Sequence, residues 1–462
     1  MKVMILAGGT GTGLWPVSRI YNPKQFVKLK KQKSIFQNTI EGCLKVIKPE
    51  DVTIVTNREY KYFVLDQLQE ISVTLPEENI ILEPAFKNTL HAVSVGVFRI
   101  KKIHGEDSDI IVIPLNSLVN DYSRIFNNKK YFNIEDKRDN IIIFGMDATG
   151  AYTGYGCIKI GTQKGVGYSV EEFIDNQLQV DDNILSSNKY LYNSGVLLFN
   201  SVVFLDELKT YHKDLYDYLE RDIIDEAYNL DIKLTVEKGI LEKSKKISVI
   251  HLEDIIEKDN IYSDFYKQYE NIQDENGNIT YNDNVFLEAK NNLVYAENEK
   301  VVSIVGCSDL VVIDQPDALL VCNKNQTEKV RDVALILKDK GDNRVDYHTT
   351  CYRPWGSYTV LEEGAGYKVK RITVLSGKKL SYQMHHHRSE HWVVVNGTAT
   401  VTKEGVEYTV KQGESIFIRA EEKHRLENKE KNNLEVIEAQ IGHYLEEDDI
   451  VRFEDDFGRG KH

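Results

Sequence analysis

At 462 residues the chain is longer than one hydrophobic core sustains, so two or three domains are expected. Hydrophobic residues at 41% and charged residues at 28% are ordinary for a globular protein. The formal charge of −14 argues against a broad nucleic-acid or membrane-surface footprint, because both need clustered positive charge, but leaves room for a local basic pocket.

In chain order, the opening MKVMILAGGT is apolar for only a few residues before its glycines, too short for a leader or a spanning helix, and the expected location is cytoplasmic. The five cysteines are scattered and odd in number with no CxxC pair, which fits a reducing compartment. Runs of buried-strand type follow at 3–7, 52–56, 110–114 and 141–145, with amphipathic stretches at 36–48, 59–71 and 88–104 between them. That alternation predicts a parallel α/β sheet. NSGVLLF at 193–199 predicts a further strand, and 201–228 reads as helical. From about 276 short strands come at close spacing with turn residues between, followed by a helix near 326–340. The polar stretch 338–348 reads as a linker, and 353–445 alternates short β runs with glycine turns, as an all-β barrel does. The expected domains are 1–275, a β-rich connecting segment 276–340, and 341–462.

The densest chemistry lies in Gly377-KKLSY-Gln383-Met384-His385-His386-His387-Arg388-Ser389-Glu390, closing at Gly397. Residues i and i+2 of a strand share a face, so Gln383 and His385 point together. Glu390 can return to the same point past the next bend, and Gly413-ESIFI-Arg419-A-Glu421-EK-His424-RLE-Asn428 supplies another imidazole. An oxygen, two imidazoles and a carboxylate suit a divalent transition metal: zinc foremost, with iron, manganese, nickel or cobalt as alternatives.

These two segments resemble the paired cupin motifs GX5HXHX4EX6G and GX5PXGX2HX3N with every spacing kept. Gln383 stands for the first histidine, and Arg419 and Glu421 stand for the turn proline and glycine. With RPWGSY before and EDDIVRFEDDFGR after, the wording is similar to the type II phosphomannose isomerases. The resemblance implies an all-β cupin (jelly-roll) domain, metal ligands Gln383, His385, Glu390 and His424, and interconversion of mannose 6-phosphate and fructose 6-phosphate. Such an isomerisation needs a base at the carbon-bound proton and cations at the phosphate. His387 is the candidate base, and Arg388, Lys370, Arg452 and Arg459 are the candidate cations. Trp355 and Trp392 read as barrel packing.

The first strand runs into Ala7-Gly8-Gly9-Thr10-Gly11-Thr12-Gly13-Leu14-Trp15-Pro16, Ser18-Arg19 and Asn22-Pro23-Lys24-Gln25-Phe26. A glycine loop at a strand end lets backbone N–H groups approach phosphates. With its continuation it resembles the sugar-1-phosphate nucleotidyltransferases, most closely mannose-1-phosphate guanylyltransferase, whose bifunctional forms carry a type II isomerase after a Rossmann-like α/β nucleotidyltransferase domain. The resemblance covers nearly the whole chain. It includes Glu83-Pro84, Asn88-Thr89, Thr153-Gly154-Tyr155-Gly156, Asn193-Ser194-Gly195, Glu242-Lys243-Ser244 and Asp274 to Asn278. It implies nucleotide binding by Gly8, Gly9, Gly11 and Lys24, sugar binding by Gly154, Tyr155 and Asn193, Mg²⁺ only where transfer is active, and self-association into a homo-oligomer. The partners expected are a sugar phosphate and GTP or GDP-mannose, with no nucleic acid and no membrane.

Four departures fall where the charges should be. Gly13 stands for the loop arginine, Asn116 for the metal-binding aspartate and Asn176 for the FxEKP lysine, and 252–258 keeps only Asp254 of the second metal segment. Phosphoryl-type transfer depends on neutralising developing charge. The expectation is therefore an isomerase with an impaired transferase domain. Its alternatives are a fully bifunctional enzyme, with Lys24, Arg19 or Lys87 compensating, and a non-catalytic sugar-nucleotide-binding regulator.

Overall fold

The computed structural model describes residues 1–28, 33–115, 125, 135–147, 156–174, 189–252, 273–280, 283–296 and 300–454, in two compact units, Met1–Asp346 and Tyr347–His462. The first is built on a nine-stranded sheet. Ile80–Glu83, Val52–Asn57, Lys2–Leu6 and Asp109–Pro114 lie side by side and parallel. Tyr190–Asn200 then runs antiparallel to both Asp109–Pro114 and Ile141–Asp147. The sheet is thus mixed, not parallel throughout: an apolar run marks burial on both faces but carries no sign of strand direction. Successive residues of the first strand feed opposite cores, Val3 and Ile5 one and Met4 the other. Helices Ile35–Leu44, Lys61–Glu70 and Thr89–His104 match the amphipathic stretches, the first opened by a Ser34–Gln37 capping box. The helical reading of 201–228 resolves into Ser201–Tyr211, Lys213–Glu220 and Ile224–Asn229.

The β-rich segment is a small parallel coil. Ile279–Thr280, Leu293–Ala296 and Leu310–Gln315 stack in parallel, as do Val285–Leu287 and Ser303–Val305. Asn278 and Asn292 bond to each other and to neighbouring backbone at the same corner of successive turns, satisfying polar groups that stacking would otherwise bury. This segment packs into the first unit. Its Ile279, Leu293, Val311 and Ile313 share a core with Leu14, Trp15 and Val17 of the N-terminal loop and with helix Val330–Asp339. The stretch 338–348, read as a linker, is also built in for most of its length. Val345 is buried in that core, its carbonyl accepts from Ile20 N, and the Arg344 carbonyl accepts from Trp15 Nε1.

The second unit is two antiparallel sheets, one of six strands and one of five, in the cupin arrangement. The larger carries Tyr367–Val374, Leu434–Gly442, Arg388–Asn396 and Ser415–Ile418 in that order; the smaller places Tyr382–His385 between His424–Glu427 and Ile450–Glu454. Trp392, Val394, Val401, Leu426 and Val436 fill the core. No helix among the described residues is long and apolar enough to cross a membrane.

Candidate metal centre and nucleotide loop

Register brings the candidate cupin ligands together from both sheets. Gln383 pairs directly with His424, and His385 follows two residues later on the same strand. Glu390 comes from the opposite sheet. His385 Nε2 stands 3.0 Å from Glu390 Oε1, His424 Nε2 stands 3.5 Å from Glu390 Oε2, and the three residues form one buried group of metal-ligand type. Gln383 lines the same cavity as Glu390, its side-chain oxygen accepting from Ser381 Oγ.

This donor set fits a divalent cation. His385 Nδ1 and His424 Nε2 are buried without a hydrogen bond, and His385 Nε2 meets the Glu390 carboxylate, an arrangement that is costly unless something else engages these nitrogens. His424 Nδ1 donates to the Glu422 carbonyl at 2.9 Å, which fixes the tautomer and turns a lone pair at Nε2 toward Glu390. Arg388 Nε and Trp392 Nε1 each donate to Glu390 at 3.2 Å. Burial pushes the Glu390 carboxyl up, but His385, His424 and Arg388 outweigh it and hold it well below the usual range. Beside it Glu438 is pushed up to about 8, by burial first and by the Glu390 charge second. Burial lowers His424.

A polar cavity adjoins the ligands, lined by Arg353, Tyr358, Lys370, Arg388, Glu438, Glu447 and Arg452 among others. Three of the four cations expected at a phosphate, Lys370, Arg388 and Arg452, are therefore there; Arg459 lies outside the described residues. Trp392 packs in the barrel core as expected, while Trp355 does so and lines the cavity as well.

His387 is not placed as a base. The strand ends at His385, so the two-residue alternation breaks at the bend 386–387, and His387 turns to Asp449, Nδ1 to Oδ1 at 2.7 Å, with its side chain 47% exposed. Sequence reasoning missed Glu438, although a signal was present: in LEVIEAQIG the inward parity set by Leu434 and Val436 continues through Glu438 and Gln440. Arg353 and Glu447 open the RPWGSY and EDDIVRFEDDFGR stretches that carry the resemblance, but sequence reasoning singled out neither as a site residue.

In the first unit the glycine loop leaves the end of strand Lys2–Leu6. Gln25 closes it, donating to the carbonyls of Ala7 at 3.0 Å and Gly9 at 2.7 Å. Gly11 has φ +60, and a Cβ there would stand 2.5 Å from the Lys24 backbone nitrogen; one on Gly8 would stand 2.4 Å from Glu83 Oε2. Gly9 has open space. Burial pushes Glu83 up to about 7, against a hydrogen bond from the Tyr228 hydroxyl at 2.7 Å. Antiparallel register places Asn193 at the same sheet edge as the loop, its amide donating to Glu237 Oε1 at 3.2 Å. Two of the cations offered as compensation are engaged elsewhere: Arg19 pairs with Asp317 at 2.9 Å, and Lys87 donates to the Leu230 carbonyl at 3.0 Å. Gly154, Tyr155, Asn116, Asn176 and Asp254 lie outside the described residues.

The fold and site define a nucleotidyltransferase-type domain joined to a cupin with a metal-ligand group. Family profiles agree: "Nucleotidyl transferase" matches residues 2–237, "MannoseP isomerase/GMP-like beta-helix domain" 282–337 and "Mannose-6-phosphate isomerase C-terminal" 340–455. The alginate biosynthesis protein AlgA of Pseudomonas putida is 34% identical, the alignment covering 99% of this chain and 96% of AlgA. The mannose-1-phosphate guanylyltransferase of Escherichia coli is also 34% identical, covering 99% and 98% respectively. A Thermus thermophilus structure named as a mannose-1-phosphate geranyltransferase aligns with TM-score 0.61 and 24% identity, covering 73% of this chain and 99% of that one, a likeness of fold. The chain belongs to the family of bifunctional mannose-1-phosphate guanylyltransferases and type II mannose-6-phosphate isomerases.

Proposed function

We propose that the chain is a two-activity enzyme. Its cupin unit interconverts mannose 6-phosphate and fructose 6-phosphate, and its first unit makes GDP-mannose and pyrophosphate from mannose 1-phosphate and GTP. The observation that carries the isomerase is the buried group of His385, Glu390 and His424 with imidazole nitrogens left without hydrogen bonds. Those residues, with Gln383, would hold the cation. A divalent ion bound there would supply a Lewis acid that polarises the sugar carbonyl. Arg388 and Trp392 hold Glu390 by hydrogen bonds, Lys370 and Arg452 would meet the phosphate, and Glu438, which lines the cavity, is assigned in place of His387 to carry the proton.

The transferase half is supported by relatives aligned over 99% of the chain, one of them named a mannose-1-phosphate guanylyltransferase. They favour two activities over the isomerase with an impaired transferase that the departures at 13, 116 and 176 suggest. That second reading keeps one specific support: Gly13 brings no charge to the loop, and Arg19 is buried on Asp317.

Two assays on one preparation test this. Metal-loaded protein should convert mannose 6-phosphate, and a strong chelator should stop it; turnover indifferent to chelation removes the isomerase mechanism. With Mg²⁺, GTP and mannose 1-phosphate, pyrophosphate should be released; a rate equal to the blank leaves the isomerase alone.

A further inference from the structure

The cupin cavity is lined by the cations Arg353, Lys370, Arg388 and Arg452. The wall holds three carboxylates. Glu390 and Glu438 are 2% and 5% exposed and locked by hydrogen bonds from Trp392 and Gln440. Glu447 differs: its side chain is 48% exposed, and it starts the short 3₁₀ turn Glu447–Asp449.

Glu447 is held by the cations a phosphate would want. Lys370, itself only 5% exposed, donates from Nζ to Glu447 Oε1 at 2.9 Å, and its ammonium lies 4.7 Å from the centre of the Tyr358 ring. Arg353 lies 5.6 Å from the same ring. Desolvation pushes the Glu447 carboxyl up, but Lys370, Arg388 and Arg353 overcome it and bring it down to about 2. Burial would lower Lys370, and Glu447 and Glu438 hold it above its ordinary value instead.

We propose that the Glu447 carboxylate stands in for the substrate's phosphate, gripping Lys370 in the free protein and giving way when a phosphorylated sugar enters. The turn is built for this. Asp449, two residues on, is a fixed post: its carboxylate accepts from His386 N and His387 N, both at 3.2 Å. Upstream, the Leu445 and Glu446 carbonyls accept from Arg388. Glu447 lies between these two anchored points and its carboxylate is held by the lysine, so the side chain can leave without unseating the bend beside His385. A phosphate dianion in its place offers Lys370 and Arg353 more charge and more acceptors than the carboxylate does. The device therefore favours phosphorylated sugars over free ones: a neutral sugar cannot displace the carboxylate. The anion site stands on its own geometry, and only the identity of the sugar rests on the isomerase reading.

Calorimetric titration of the full chain with inorganic phosphate, mannose 6-phosphate and mannose tests this. Glu447→Gln removes the competing charge and keeps the shape. It should tighten binding of both phosphates about tenfold, on the scale of one charged hydrogen bond, and leave mannose unaffected. Lys370→Met should weaken both phosphates at least about tenfold. Glu447→Ala gives the same test should the glutamine variant not fold, and either should lower KM for mannose 6-phosphate. Phosphates bound no tighter by either Glu447 variant, or undiminished by Lys370→Met, overturn the proposal. Tighter phosphate binding in a protein that isomerises nothing keeps the anion site and removes the isomerase reading. Full isomerase activity with unchanged phosphate affinity does the reverse.

Discussion

The candidate metal group of the cupin and the glycine loop of the first unit are held by different means, and the difference shows in what each keeps. His385, His424 and Glu390 sit on strands whose neighbours set their register, so a side chain cannot slip without turning a whole strand over. The loop from Ala7 to Gly13 keeps its shape through glycines and the Gln25 bridge, while Gly13 brings it no charge and Arg19 is buried in an ion pair with Asp317. Backbone shape and side-chain charge are separable in a loop. In the barrel, the charges meet because the register brings them together.

The largest effect that sharpens this comparison is at Glu390. Glu390→Gln keeps the volume and removes the charge that His385 and His424 face, and isomerase activity should fall at least about 10³-fold, the scale of several kcal/mol supplied by a Lewis acid. A rate assay on metal-loaded protein reads it, and a fall under tenfold would break the comparison.

Next is pH. Glu83 is raised to about 7 in the fold from an ordinary value of 4.5. The folded state therefore holds a proton that the unfolded chain has lost between those values. Its stabilising contribution is complete below about 4.5 and disappears as pH rises through 7, a loss of roughly 3 kcal/mol for the first unit. Denaturant melts from about pH 4.5 to 8.5 should show that slope in the parent and a flatter one in Glu83→Gln.

Smaller again is the loop itself. Gly11→Ala forces a Cβ into a left-handed residue against the Lys24 nitrogen and should destabilise by about 1–3 kcal/mol, whereas Gly9→Ala should stay within about 0.5 kcal/mol. Equal effects at the two positions would mean the loop is not held as described. The smallest effect belongs to the cupin turn. Glu421 replaces the motif glycine yet keeps φ at +66, with its N–H on the His385 carbonyl at 2.7 Å. Glu421→Gly should therefore stabilise the barrel by less than about 1 kcal/mol, strain relief offset in part by glycine's entropy, and a slightly higher thermal midpoint reads it.

Much of this was legible beforehand. The strands and helices of the first unit follow from periodicity, and the meeting of His385, Glu390 and His424 follows from two spaced motifs. What stayed hidden has physical reasons. The direction of Tyr190–Asn200 is a long-range pairing that no local pattern encodes. Polarity made 338–348 look like a linker, although Val345 alone is apolar enough to anchor it and its carbonyls do the rest. His387 looked inward because alternation was carried through a bend, and Arg353 and Glu447 reach the cavity from strands and turns remote in sequence.

X-ray absorption on protein supplied with one equivalent of a divalent transition metal tests the central claim most directly. The account predicts one tightly held ion per chain with two imidazole nitrogens in its shell, reduced to one in His424→Ala and in His385→Ala. An ion that carries no histidine signature, or one unchanged in both variants, contradicts it.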